Sequence, residues 1–188
     1  METKSRPNVI YILAALLIVA GLITAILGEN DPASVPVMYS SDESIPSDAF
    51  SVELDFALKD LDENEVTITQ FENQVRVVNF WATWCGPCVE EIPDFQAFHE
   101  KYGDQGVKVI GIALDKEGAD IVRPFVEEMD MTYLTLIDTD GMSAAKFGGV
   151  YGIPTTFIID REGTVRNKRV GMMSYENLET AVLPLLAQ

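Results

Sequence analysis

Two cysteines separated by a glycine and a proline stand between a strand pattern and a helix pattern, and this arrangement constrains the fold most. The segment before them, Val75–Trp81 (VRVVNFW), is short, β-branched and aromatic, which is typical of a buried strand. After them, apolar side chains recur every three or four residues, which predicts one face of a helix: Val89, Ile92, Phe95, Phe98 and Tyr102. The pair therefore lies where a strand runs into a helix N-terminus.

A helix N-terminus suits redox chemistry at the first of these cysteines. Its free N–H groups and the helix dipole favour a thiolate over a thiol. The spacing of three lets both sulfurs reach the ~2.05 Å of a disulfide bond. We therefore predict that Cys85 attacks a partner's disulfide and that Cys88 resolves the mixed disulfide. Gly86 would let a partner backbone approach, and Pro87 would fix φ at the helix start.

The other segments alternate between strand and helix patterns. Strands are predicted at 56–58 and 66–68 (an opening hairpin), 107–114, 134–137, 155–159 and 165–170, and helices at 87–102, 119–129, 142–147 and from 175. Ser174 is the expected N-cap of the last helix, Pro184 is expected to end or kink it, and Pro124 is expected to interrupt the helix at 119–129. The series predicts an α/β fold with a mixed central sheet and helices on both faces.

An apolar segment near the N-terminus predicts a membrane anchor. Residues 9–27 hold nineteen residues without a charge, about 28 Å of helix against a roughly 30 Å hydrocarbon core. A cleaved signal peptide is the alternative. Lys4 and Arg6 precede the segment, so the N-terminus is expected in the cytoplasm. The predicted organisation is a cytoplasmic N-terminus at 1–8, a single-pass anchor at 9–27, an acidic tether at 28–49 and an extracytoplasmic domain at 50–188.

The charge balance excludes some partners. The chain carries 30 acidic and 13 basic side chains, a net charge of −17, which disfavours nucleic acid because a polyanion is repelled by such a surface. Two cysteines cannot alone supply four zinc ligands, so no metal site is expected. We also expect no cofactor beyond a redox-active Cys85–Cys88 disulfide.

Two sequence motifs together resemble a known group. Phe80–Cys88 (FWATWCGPC) and Gly152–Phe157 (GIPTTF) resemble the thioredoxin fold, and specifically the membrane-anchored TlpA/ResA-like thiol–disulfide oxidoreductases of the redoxin group. The resemblance covers about residues 50–188 and implies a thioredoxin-like three-layer fold. It also implies a cis bond between Ile153 and Pro154, with the Ile153 backbone binding an extended substrate in a groove that Trp84 helps to form.

Two residues near the cysteines, Asn79 and Glu91, are candidates for modulating proton exchange at the thiols. Asn79 stands where cytoplasmic thioredoxins carry a buried Asp. Glu91 matches a Glu that tethered relatives often carry two residues before a helix-kinking proline, here Pro93. It follows Cys88 by three residues on the same helix face, so it could exchange a proton with that thiol. The alternative for Glu91 is a solvated helix carboxylate.

The resemblance implies a reductant of protein disulfides. Its expected targets are the haem-binding cysteines of apocytochrome c or oxidised cysteines of other exported proteins, and its expected electron source is a transmembrane thiol donor of the CcdA/DsbD kind. A thiol peroxidase is an alternative, although Ala82 and Val78 replace the Thr and Pro that such enzymes carry before the reactive cysteine. A binding or holdase module with incidental cysteines is another.

Overall fold

The computed structural model describes residues 50–187. The cytoplasmic N-terminus, the anchor and the tether predicted for residues 1–49 lie outside the described residues, as does residue 188. Within residues 50–187, every helix is too short or too polar to span a bilayer.

Eight strands form one mixed sheet. Their bounds are β1 (Phe50–Ser51), β2 (Ala57–Asp60), β3 (Glu65–Thr67), β4 (Val75–Trp81), β5 (Val107–Ala113), β6 (Leu134–Ile137), β7 (Thr155–Ile159) and β8 (Thr164–Val170). The spatial order is β1-β8-β7-β4-β5-β6-β2-β3. The central β4, β5 and β6 are parallel, and the other neighbours pair antiparallel. Every residue of β4 is buried, as expected of a central strand covered on both faces.

Four helices cover the two faces unequally. They are α1 (Gly86–Tyr102), α2 (Ala119–Glu128), α3 (Met142–Lys146) and α4 (Tyr175–Leu186), with short 3-10 helices at Ile68–Phe71 and Gly103–Gln105. Side chains of α1, α2 and α4 share one core cluster with β4 and β5. The chain moves in one direction from β4 through β5 to β6, so right-handed crossovers place α1 and α2 on the same face. The other core cluster is covered by α3 and the segment before β2.

The predicted thioredoxin-like α/β fold and its mixed sheet are confirmed, and most element ends agree within two residues. Ser174 is the N-cap of α4 and accepts a hydrogen bond from Asn177 N–H. The expected interruption at Pro124 is wrong, because Pro124 lies within a continuous α2. Pro184 does not end α4, which continues to Leu186. Buried side chains of both helices, including Leu185, hold them against the sheet, so tertiary packing outweighs the local cost of proline.

The sheet brings the two sequence motifs together. In the antiparallel pair of β4 and β7, Asn79 lies opposite Thr156 and Phe80 opposite Thr155. The end of β4 and the start of β7 therefore share one edge of the sheet. The cysteine motif continues from the first and the Ile153–Pro154 loop leads into the second.

Candidate active site

Cys85 and Cys88 form a disulfide at the N-terminus of α1. Their sulfurs are 2.08 Å apart. Cys85 is the N-cap residue, and its sulfur accepts a hydrogen bond from Cys88 N–H at 3.3 Å. Cys85 is 6% exposed and Cys88 only 1%, so an incoming thiol or disulfide reaches Cys85 first.

The loop before β7 faces this disulfide. The Ile153–Pro154 bond is cis, as the resemblance implies, and Ile153 O lies 3.7 Å from Cys85 Sγ. Gly171 N–H donates to Pro154 O at 2.8 Å, and Thr155 Oγ1 donates to Gly152 O at 2.6 Å. The first bond ties the loop to the residue that follows β8, and the second links the loop to the first residue of β7.

The rim of the site is open and aromatic. Trp84 is 70% exposed and Tyr151 is 95% exposed. Gly86 and Pro87 form the first turn of α1 and are exposed, and a Cβ at Gly86 would meet no atom within 4 Å. Large aromatic side chains on the surface beside a reactive group are suited to binding another protein chain.

Glu91 lies beneath the cysteines and is only 2% exposed. Its Oε1 accepts from Asn79 Nδ2 at 2.8 Å, and its Oε2 accepts from Met173 N–H at 2.8 Å. Burial raises the pKa of Glu91 to about 7, although both hydrogen bonds act in the opposite direction. The alternative of a solvated carboxylate is wrong, because the helix face shared with Cys88 is the one that packs on the sheet.

Asn79 links Glu91 to the sheet. Its Nδ2 also contacts Thr156 Oγ1 at 3.1 Å, and Thr156 is its cross-strand neighbour on β7. A buried polar network of Asn79, Thr156 and Glu91 therefore joins β4, β7 and α1. Thr156 and Met173 were absent from the sequence prediction. A strand register would have pointed to Thr156, whereas nothing in the sequence indicates the Met173 contact.

A second buried carboxylate beside the loop, Asp115, was also missed. It is 1% exposed and accepts hydrogen bonds from Thr83 in the active-site loop. The local sequence places Asp115 just after a strand and says nothing of its partner. No group of three or more His, Cys, Asp or Glu side chains within residues 50–187 is arranged to hold a metal ion.

Comparison with known proteins identifies the group to which this site belongs. The sequence model of the AhpC/TSA family matches residues 52–168, more than half of the chain. The chain belongs to the AhpC/TSA family. The matched region contains the cysteine pair, Glu91 and the cis-proline loop, whereas Gly171 and Met173, which hold this loop and Glu91, follow it.

The relatives of this AhpC/TSA member identify its reaction. The thiol–disulfide oxidoreductase ResA of Bacillus thuringiensis subsp. konkukian is 36% identical over 125 residues, covering 66% of this chain and 70% of the relative. A secreted thiol-disulfide isomerase from Corynebacterium glutamicum has a similar structure, with a TM-score of 0.71, 29% identity, and coverage of 77% of this chain and 90% of that one. A thiol:disulfide interchange protein from Chlorobium tepidum superposes with a TM-score of 0.65 at 28% identity, over 72% and 96% of the two chains. The protein is a thiol–disulfide oxidoreductase of the ResA type.

Proposed function

We propose that this protein reduces disulfide bonds of exported proteins on the outer side of a cell membrane, through a dithiol–disulfide cycle of Cys85 and Cys88. The observation that carries the proposal is the position of Cys85 Sγ at the N-terminus of α1 and 3.7 Å from the Ile153 carbonyl. The helix N-terminus favours a thiolate at Cys85. The Ile153 carbonyl puts a main-chain acceptor beside the sulfur, where an extended substrate segment could pair with it.

The cycle transfers two electrons to the substrate. The Cys85 thiolate attacks one sulfur of the substrate disulfide, forming a mixed disulfide and releasing the other substrate sulfur as a thiolate. The Cys88 thiolate then attacks Cys85 Sγ, which breaks the mixed disulfide and releases the second substrate thiolate. Both substrate sulfurs take up protons, and the protein is left with the Cys85–Cys88 disulfide.

Glu91 is proposed to take the proton of Cys88 during the second attack. It is buried on the same face of α1, and a carboxyl with a pKa of about 7 can exchange a proton near neutral pH. The test is Glu91→Gln, which keeps the size of the side chain and removes its titration. We expect the mixed disulfide to persist longer in this variant between pH 6 and pH 8. An unchanged lifetime would contradict the role.

The proposed location is supported by the apolar segment at residues 9–27 and by the basic residues before it, Lys4 and Arg6. Outside the cytoplasm disulfides are the stable form of most cysteine pairs. A reductant there needs its electrons brought across the membrane, and a transmembrane thiol donor of the CcdA/DsbD kind would supply them. Labelling of intact cells with a membrane-impermeant maleimide tests this location. Labelling of reduced Cys85 before lysis supports it, and labelling only after lysis contradicts it.

The substrates are proposed to be protein disulfides in extended segments, including the cysteines of apocytochrome c. The support is the position of the Ile153 carbonyl beside Cys85 Sγ and the exposed aromatic rim of Trp84 and Tyr151. Trapping with Cys88→Ala, in which the mixed disulfide cannot be resolved, should recover the physiological partner. Recovery of cytochrome precursors selects that class, and recovery of other exported proteins selects a broader one.

Insulin reduction with dithiothreitol tests the activity itself. The full chain should accelerate insulin precipitation, and Cys85→Ala should abolish the acceleration because it removes the attacking sulfur. Equal rates for the two proteins would overturn the proposed function in favour of a binding or holdase module. A peroxide-consumption assay on the same preparations distinguishes a thiol peroxidase, which we expect not to be the main activity.

A further inference from the structure

Asp115 is a buried carboxylate beside the active-site loop, and the catalytic cycle described above does not use it. Thr83 N–H contacts its Oδ1 at 3.3 Å and its Oδ2 at 3.1 Å, and Thr83 Oγ1 donates to its Oδ1 at 2.5 Å. The ion pairs formed within residues 50–187 do not include Asp115. A buried carboxylate without a cation is unfavourable unless hydrogen bonds compensate it, and here both carboxylate oxygens are directed at Thr83.

The contact lies where two parallel strands end side by side. Trp81 and Ala113 are the last paired residues of β4 and β5, and Leu114 N–H donates to Trp81 O at 3.0 Å. Two residues further along each strand are Thr83 and Asp115. At this point the Asp115 side chain accepts the Thr83 N–H in place of a main-chain carbonyl. The carboxylate therefore adds one more hydrogen bond between the two chain segments beyond the ends of β4 and β5.

Both ends of this contact are held by main-chain turns. Gly118 N–H donates to Asp115 O at 3.0 Å, which fixes the backbone of Asp115. Cys85 N–H donates to Ala82 O at 3.1 Å, which closes a turn around Thr83 and Trp84. Trp84 is exposed, so Thr83 is the residue of this turn that is anchored to the sheet by its side chain.

We propose that Asp115 is a positioning residue for the thiol–disulfide reaction. By holding Thr83, its carboxylate fixes the turn that places Cys85 Sγ against the N-terminus of α1. The position of the sulfur matters because the stabilising field of a helix N-terminus falls off within one turn. A loosened turn therefore leaves the thiolate less stable and less well directed. The inference rests on the proposed role of Cys85 as the nucleophile.

The test compares Thr83→Val with Thr83→Ser in the reduced full-length protein. Valine has nearly the shape of threonine and lacks the hydroxyl, and it leaves the Asp115 carboxylate in place. The readout is the rate of Cys85 alkylation by iodoacetamide as a function of pH, with the adduct identified by mass spectrometry. We expect the midpoint of the curve of alkylation rate against pH to move to higher pH in Thr83→Val and to stay unchanged in Thr83→Ser. Insulin reduction should fall roughly ten-fold in Thr83→Val, as expected for a displaced reacting group.

A second set of variants tests whether Asp115 acts through Thr83. Asp115→Ala should slow insulin reduction in the wild-type background. Its effect should be smaller when Thr83→Val is already present, because only the main-chain N–H contact of residue 83 is then left to lose. If the fold-losses in insulin reduction of the two single variants simply multiply in the double variant, the inference is overturned. It is also overturned by a Thr83→Val midpoint equal to that of the wild type, even if its melting temperature falls, because the contact would then be structural only. Thr83→Ala replaces Thr83→Val if valine prevents folding. Failure of the proposed function is recognised separately, by retained insulin reduction in Cys85→Ala.

Discussion

Glu91 and Asp160 are two carboxylates with the same small exposed fraction, and their pKa values shift in opposite directions. Each is 2% exposed, and each accepts one main-chain N–H at 2.8 Å, from Met173 and Thr164 respectively. The second partner differs. Glu91 accepts from the neutral amide of Asn79, whereas Asp160 accepts from the Arg166 guanidinium.

The charged partner at Asp160 is one cause of this difference in pKa, and the deeper position of Glu91, which strengthens the effect of burial on its pKa, is another. Burial raises the pKa of Glu91 to about 7, and its neutral partners do not offset that effect. Burial also pushes the pKa of Asp160 upward, but the Thr164 N–H and Arg166 outweigh it, so the pKa lies below its ordinary value. Burial alone therefore does not make a carboxyl titrate near neutral pH. In this pair, the carboxyl with a cation beside it has a lowered pKa, and the one whose direct hydrogen-bond partners are neutral has a pKa raised to about 7.

The largest effect should come from placing a second acid beside Glu91. Asn79→Asp puts two carboxyls in direct contact in a buried site, where the two cannot be ionised at the same time. We expect a loss of about 4 kcal/mol in the free energy of unfolding at pH 8 and a smaller loss at pH 5. Urea unfolding of the oxidised protein, followed by tryptophan fluorescence, measures both values.

A matched double variant controls this prediction. Asn79→Asp combined with Glu91→Gln again pairs one acid with one amide, so most of the lost stability at pH 8 should return. Equal losses at pH 5 and pH 8 in the single variant would show that side-chain packing, not charge, is responsible.

The second effect concerns the pH dependence of stability. Glu91 has an ordinary pKa of 4.5 and a folded value of about 7, so the folded state binds the extra proton between these values. The stabilisation that this proton gives the folded state is therefore fully present below about pH 4.5. It is lost as the pH rises to about 7, and the free energy of unfolding changes by roughly 3 kcal/mol. The difference in unfolding free energy between wild type and Glu91→Gln, measured from pH 4 to pH 8, isolates it. A difference that does not vary with pH would contradict the raised pKa.

The third effect removes the cation that distinguishes Asp160. Arg166→Met leaves that carboxylate buried without its charged partner and should cost about 2 kcal/mol of stability at pH 7, less than a fully buried pair because Arg166 is partly exposed. Asp160→Asn is the control. When Arg166→Met and Asp160→Asn are combined, the loss in the free energy of unfolding should be smaller than the sum of the two single losses. A loss equal to that sum would mean that the pair does not interact.

The smallest effect is the response to salt. Raising NaCl from about 0.1 M to 1 M should reduce the stability difference between wild type and Arg166→Met by about 0.5 kcal/mol, because the partly exposed pair is screened. The difference between wild type and Glu91→Gln at pH 8 should stay the same, because Glu91 has no ion-pair partner within the described residues and is buried. Equal salt responses at the two sites would show that the Arg166 charge does not distinguish Asp160 from Glu91.

The elements that the sequence predicted well are those with a strong local pattern. The bounds of β4, β6 and β7 agree with the prediction, because apolar and β-branched runs form buried strands whatever packs on them. Strand β1 was missed because it has only two residues and pairs with β8, more than one hundred residues later. The uninterrupted α2 and α4 were missed because proline rules describe a helix alone and not one held against a core.

The two cysteines and their place at a helix N-terminus were determined by the sequence itself, because the strand, the spacing of three and the helix follow one another along the chain. The sequence also placed Glu91 on the face of Cys88. Only the tertiary structure decided that this carboxyl is buried beside Asn79 and Met173, and that Asp115 holds the active-site loop. Those contacts join residues 12, 82 and 32 positions apart. The pKa and the position of a side chain depend on such neighbours, which a local pattern does not specify.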